Sequence, residues 1–185
     1  MDGDPAEPKC RRTPPVVNIF IDIDHTMIGE DNSLRPGVLP MLTELTSAGH
    51  HLYAWSGDGM RTRTIWEHGL APSFGAVFRK PTSRYREAVS KFDVSVDFVV
   101  DDYSQIVRVL GGVCVSPYVG SDDKGNESGD LVAAVDAVAV HTGHARRNQE
   151  FDLWFYSGFD GGLQVRHFVE NVLVASSQWF RESST

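Results

Sequence analysis

The chain reads as an α/β protein built on a central parallel sheet, and three observations lead there. From Val16 onward, short apolar runs alternate with polar turns and amphipathic stretches, the pattern of repeated βα units. The runs are near-continuous and β-branched, as in Val16-Val17-Asn18-Ile19-Phe20-Ile21, which suits strands covered on both faces. A length of 185 residues with 41% hydrophobic and 23% charged side chains fits one globular core and excludes a disordered or fibrous chain.

The elements follow in order. The first strand ends at Asp22. Pro36-Gly37 opens a helix in which Val38, Leu42 and Leu45 recur at helical spacing, and Ala48-Gly49 closes it. His51-Leu52-Tyr53-Ala54-Trp55 is a second strand running into Ser56-Gly57-Asp58-Gly59, followed by a helix through Ile65 that stops at Gly69. Ala76-Val77-Phe78 is a third strand leading to Arg79-Lys80-Pro81. Ser83 suits the cap of a helix through Tyr85, Ala88, Val89 and Phe92. Val96 to Val100 is a fourth strand ending in Asp101-Asp102. A short helix through Ile106, Val107 and Leu110 stops at Gly111-Gly112, and Val113-Cys114-Val115 is a fifth strand. Ser121 to Asp130 reads as a loop and Leu131 to Val140 as a last packed helix. The organisation expected is a flexible tail over 1–15, a domain over 16–140, and an aromatic-rich extension over 141–185 that packs on the core or mediates homo-oligomerisation.

Charge narrows the function classes. A net charge of -8 argues against a general nucleic-acid binder, leaving nucleic acid only as a substrate. Between Gly59 and Lys91, however, seven basic residues (Arg61, Arg63, Arg79, Lys80, Arg84, Arg86, Lys91) accompany two acidic ones, Glu67 and Glu87, a balance that suits either a solvated helix face or a local anion-attracting surface, with Arg61, Arg63, Arg84 and Arg86 placed to border whatever site follows the second and third strands. No run approaches the ~18 apolar residues of a membrane span. The first residues lack the apolar core of a secretory signal, and Cys10 and Cys114 offer no disulfide framework, so a reducing, cytoplasmic setting is expected.

The notable polar residues fall where apolar strands stop. In open α/β sheets ligands bind outside the carboxyl ends of the strands, so Asp22, Asp24, Ser56, Lys80, Asp101 and Asp102 should converge on one crevice. Converging carboxylates repel, and a hard divalent cation resolves the repulsion. Mg²⁺ favours one or two carboxylates, with waters and a substrate phosphate filling the remaining positions. Lys80 adds a compact positive charge and Ser56 a hydroxyl, so the crevice is suited to a phosphoryl group.

These residues also carry a resemblance. Phe20-Ile21-Asp22-Ile23-Asp24-His25-Thr26 resembles the first motif of the haloacid dehalogenase superfamily of phosphohydrolases, Asp-x-Asp-x-Thr after an apolar strand. Tyr53-Ala54-Trp55-Ser56-Gly57 is similar to the second motif, Lys80 to the third, and Val99-Val100-Asp101-Asp102 to the fourth, all in the family's order over about Val16 to Tyr118.

The resemblance implies a Rossmann-like three-layer sandwich and a Mg²⁺-dependent phosphatase that hydrolyses a phosphate monoester through an aspartyl phosphate. It makes Asp22 the nucleophile, which as an ionised carboxylate needs no activating base, and Asp24 the general acid and base. Thr26 orients the loop and counts with Ser56, Gly57 and Lys80 in the phosphate-binding set. Asp22, the backbone carbonyl of Asp24, Asp101 and Asp102 hold the metal. An acid at position 24 suits phosphate esters, because family members that cleave carbon–halogen bonds lack it.

Other candidates are weaker. Asp122-Asp123 lies in a Gly/Ser-rich loop with no strand before it and reads as solvated. His141 and His144 lack a third ligand. His25 reads as structural, and Gly111-Gly112 as a turn. Only about ten residues separate Thr26 from the first helix, and 24 separate Ser56 from Lys80, too few for an inserted cap domain. Capless relatives act on large substrates, such as phosphoproteins or polynucleotide ends, or close the site with a neighbouring subunit. Two other classes compete: a phosphoacceptor signalling domain, opposed by the acid pair coming last and by the acid at position 24, and a non-catalytic binding domain, opposed by the completeness of the charged set.

Overall fold

The computed structural model describes residues 15–122 and 129–143 and, beyond them, four strand segments. Along the chain run β1 (Asn18–Asp22), α1 (Val38–Ser47), β2 (His51–Ser56), α2 (Thr62–Glu67), β3 (Ala76–Arg79), α3 (Tyr85–Val89), β4 (Phe98–Asp101), α4 (Ser104–Leu110), β5 (Gly112–Cys114) and α5 (Gly129–His141). The strands β6 (Arg146–Asn148), β7 (Leu153–Ser157), β8 (Gln164–Phe168) and β9 (Asn171–Leu173) follow. Five strands pair in parallel in the order β3-β2-β1-β4-β5, and β7 and β8 extend that sheet antiparallel beyond β5. β6 and β9 form a separate antiparallel pair.

The near-continuous apolar runs are explained by burial on both faces of the sheet. Ile19 and Ile21 of β1, Leu52 and Ala54 of β2, and Phe98 and Val100 of β4 point into one core with Val38, Met41, Leu42 and Leu45 of α1 and the apolar side of α5. The intervening Phe20, Trp55 and Val99 point the other way, against Ile106 and Val107 of α4 and Tyr85 and Val89 of α3. Period-two alternation thus puts helices on both sides of the sheet. Each fully buried large apolar side chain contributes about 1.5–3 kcal/mol. On the second face Phe20 stacks on Tyr53 and Phe92, with ring centroids 5.0 and 6.0 Å away.

The boundaries differ from the sequence expectation where side chains compete with the ladder. β4 begins at Phe98 rather than Val96, because the Asp97 carboxylate accepts the backbone N–H of Asn18 at 2.9 Å. Ser83 does not cap α3; Arg84 precedes the helix in a left-handed conformation with φ 48°, and no side chain caps it. β5 starts at Gly112, one residue early. At φ +141°, a Cβ placed on Gly112 would lie 2.0 Å from the Val99 carbonyl oxygen, so only glycine lets β5 close on β4. The last helix starts at Gly129 and reaches His141, whose ring packs 5.2 Å from that of Phe98. No helix among the described residues is long and apolar enough to cross a membrane. Cys10 and the tail over 1–14, Asp123, His144 and the aromatics Phe151, Phe159, Trp179 and Phe180 lie outside the described residues.

The Gly112 contact makes a stability prediction. Gly112→Ala should cost on the order of 2–4 kcal/mol, combining a strained φ with overlap against the neighbouring strand. Urea unfolding measures it, and an unchanged midpoint would show that β5 does not need that approach.

Candidate active site

Strand order places the site. Reading outward from β1, the chain runs to β2 and β3 on one side and to β4 and β5 on the other, so the direction of winding reverses between β1 and β4. At such a switch point the loops leaving the carboxyl ends diverge and open a crevice. Asp22 ends β1 and Asp101 ends β4, side by side and almost fully buried. Ser56 ends β2, also buried. Lys80 follows β3, its backbone N–H held by the Ser56 carbonyl at 2.8 Å.

Lys80 joins the two acids. Its Nζ lies 2.8 Å from Asp22 Oδ2 and 3.2 Å from Asp101 Oδ2. Asp22, Asp101 and Asp102 each present a carboxylate oxygen within 4.8 Å of the others. Burial, aided by the charge of Asp101 and opposed by Lys80, holds Asp22 well above the usual carboxylate range. Burial likewise pushes Asp101 up to about 6, despite Lys80 and an N–H donated by Tyr103 at 2.9 Å. Burial works against the Lys80 charge, but Asp22 and Asp101 overcome it and keep the ammonium above its ordinary value.

Counted formally, three carboxylates face one ammonium, which leaves two negative charges uncompensated. Asp22 Oδ1 is buried and has no hydrogen-bond partner among the described residues. An oxygen-only donor set, an excess of two negative charges and an orphaned carboxylate oxygen together fit a hard divalent cation.

Asp24 has a different set of partners. One of its oxygens accepts the Ser56 hydroxyl, and the other pairs with Arg61 Nη2 at 2.8 Å. Its side chain is therefore not among the three clustered carboxylates, and only its backbone carbonyl is left for the metal role that the resemblance assigns. Gly57 borders the pocket: a Cβ there would fall 3.7 Å from Lys80 Cε. Thr26 is placed behind the site. It is fully buried, and its hydroxyl accepts the Asp102 N–H at 3.1 Å and lies 3.4 Å from the Asp102 carboxylate, so in this structure it positions Asp102. His25 shapes the turn, with φ 60° and its carbonyl taking the Tyr118 N–H.

Three features escaped the sequence reading. Arg35 is buried, donates to the Ser116 carbonyl at 2.9 Å and reaches the Thr26 carbonyl and Asp130 at 3.4 Å, tying the loop after β1 to the start of α5. Asp31 accepts from Ser33 and Ser121, which keeps its carboxyl below the ordinary range and pins the loop after β1 to the segment following β5. Tyr85 lies close enough to Tyr103, Lys80 and Asp101 for their charges to act on its phenol, which burial raises. No family model matches the chain, and no curated protein matches it.

Lys80→Met tests the electrostatics. Removing one partner of a buried ion pair should cost about 3–5 kcal/mol at pH 7.5 in chelator-treated protein. The sign follows from the raised carboxyls. In both proteins the raised acids cost stability as pH rises, and because Lys80 lowers both acids, its loss leaves them higher still, so the variant loses more stability than the wild type as pH rises past about 6. The stability gap between variant and wild type should therefore narrow from pH 7.5 to pH 5, as measured by denaturant unfolding. A gap independent of pH would mean that Lys80 does not balance these acids.

Proposed function

We propose that the chain is a divalent-cation-dependent phosphatase of the haloacid dehalogenase type, hydrolysing a phosphate monoester through an aspartyl phosphate on Asp22. The observation that carries this reading is the buried Asp22–Lys80–Asp101 cluster at the switch point, with Asp102 alongside and one Asp22 oxygen unpartnered. Asp22, Asp101, Asp102 and the carbonyl of Asp24 would hold Mg²⁺. When bound, the ion neutralises charge on the phosphoryl oxygens and draws them to the nucleophile.

The protein's own residues account for the rest. A carboxylate oxygen of Asp22 forms a bond to phosphorus as the bond to the ester oxygen breaks, and Asp24, released from Arg61 and in its protonated form, gives that oxygen its proton. Water then attacks phosphorus, passes a proton to Asp24 and releases orthophosphate, which restores Asp22. Lys80 and the Ser56 hydroxyl hold phosphoryl oxygens where charge spreads in the transition state. Both oxygens of Asp24 are engaged in this structure, so Ser56 must turn from Asp24 to the phosphoryl group as the substrate enters.

The reading includes an uncapped site. Between Ser56 and Lys80 the chain holds only α2, one 3₁₀ turn (Ala71–Ser73) and β3. The loop from Asp24 to Arg35 folds back on itself through single bridges at Ile28 and Leu34. An entrance of this kind supports small phosphorylated molecules as well as phosphoprotein or polynucleotide ends as substrates.

Asp22→Asn should abolish phosphate release from a panel of phosphorylated metabolites, phosphopeptides and end-phosphorylated oligonucleotides while leaving circular dichroism unchanged. Turnover by that variant would refute the nucleophile assignment. Asp24→Asn should slow hydrolysis by roughly 10²–10⁴-fold. Exhaustive chelation should remove activity and added Mg²⁺ restore it; full activity after chelation would remove the cation from the mechanism.

A further inference from the structure

Four arginines follow the Ser56 and Lys80 turns, and their surroundings separate one from the rest. Arg63 is exposed and pairs with Glu67 on its own helix at 2.7 Å. Arg84 is exposed and faces Glu87 at 3.7 Å, and Arg86 donates to the Val109 carbonyl. Arg61 alone of the four reaches the crevice, with Nη2 2.8 Å from Asp24 Oδ1. Its Nε is buried and finds no acceptor among the described residues. The residue sits at φ 46°, a left-handed conformation that is uncommon outside glycine and is kept where the surroundings impose it.

A guanidinium offers five N–H donors in a rigid fork matched to carboxylate and phosphate oxygens. Here one carboxylate oxygen uses a single arm of it. The partners of the two cations differ. Lys80 contacts Asp22, the proposed nucleophile, and Asp101, whereas Arg61 contacts Asp24, the proposed proton donor to the ester oxygen. With Lys80 and Ser56 assigned to the transferring phosphoryl group, Arg61, on the other oxygen of the Asp24 carboxylate, is the cation left for a further anion.

We propose that Arg61 is the receptor for a second anionic group on the ligand, a carboxylate or further phosphate close to the ester oxygen. This rests on the phosphatase reading for the position of the first phosphoryl group. It narrows the substrate class to phosphate esters whose leaving group is itself an anion.

The test measures binding and turnover separately. In calorimetric titrations with Mg²⁺, the wild-type protein should bind 3-phosphonopropionate roughly tenfold more tightly than propylphosphonate. Arg61→Met should erase that ratio, and Arg61→Lys should restore part of it. The kcat/KM ratio of 2-phosphoglycolate to ethyl phosphate should follow the same course. Absence of the preference in the wild type, or its survival in Arg61→Met, overturns the assignment; survival with both phosphonates equally weakened would show Arg61 holding the first phosphoryl group instead. If the preference appears in binding and Arg61→Met erases it while neither ester is hydrolysed, Arg61 stands and the phosphatase reading fails. If both esters are hydrolysed with no preference, the converse holds.

Discussion

Two acids that close neighbouring parallel strands cannot move apart, because the ladder that fixes β1 against β4 fixes Asp22 beside Asp101. Burial makes that proximity costly, since each charge has lost its water and faces a like charge. The arrangement persists because β3 ends two strands away at the right height for a lysine to reach both acids. Most of the local architecture serves this constraint. Gly112 lets β5 close on β4, Tyr103 gives its N–H to Asp101, and Ser56 fixes the backbone of Lys80.

The two sides of the pocket are built differently. On the acid side, Asp102 is held by Thr26, the Thr26 carbonyl is reached by the buried Arg35, and Arg35 is in turn tied to Ser116 and Asp130. Side chains anchored through such chains of contacts keep their geometry without a ligand, which a cation site needs if binding is not to be spent on ordering it. On the Asp24 side, the same carboxylate engages the hydroxyl of Ser56 at the end of β2 and the guanidinium of Arg61 on the turn that follows, where Gly59 and Arg61 both have positive φ. On the proposed reading those contacts are the exchangeable ones, because each donor would meet equally good acceptors on an incoming anion.

This difference also explains what could be read from sequence. Asp22, Ser56, Lys80 and Asp101 were legible because each closes an apolar run whose period identifies it as a strand, and parallel topology gathers strand ends. Arg61 was legible as one of four arginines, with Arg63, Arg84 and Arg86, that follow the Ser56 and Lys80 turns and could border the crevice; nothing in helical spacing distinguishes it from Arg63, since a left-handed residue before a six-residue helix leaves no periodic trace. Arg35 left no signal in the sequence because arginine is rarely buried, and its partners Ser116 and Asp130 are about 80 and 95 residues away. Thr26 was legible as a motif residue but not in its direction, which depends on Asp102 approaching from another strand. The start of β4 was misread because Val96 continues the apolar pattern, while Asp97 ends the ladder with a side-chain bond that pattern alone does not reveal.

The charge balance links the two sides. Around Asp22 and Lys80 the protein is short of positive charge, whereas Asp24 and Arg61 neutralise each other. A cation entering alone would relieve the first imbalance and leave the second pair closed. An anion entering alone would meet buried carboxylates and be repelled. Only a cation and an anion together satisfy both the orphaned oxygen of Asp22 and the unused donor of Arg61, the first by coordination and the second by a charge-assisted hydrogen bond. On the proposed reading, electrostatics would therefore couple the two ligands: a bound cation would remove the repulsion that an anion entering alone meets, with no movement of the sheet required.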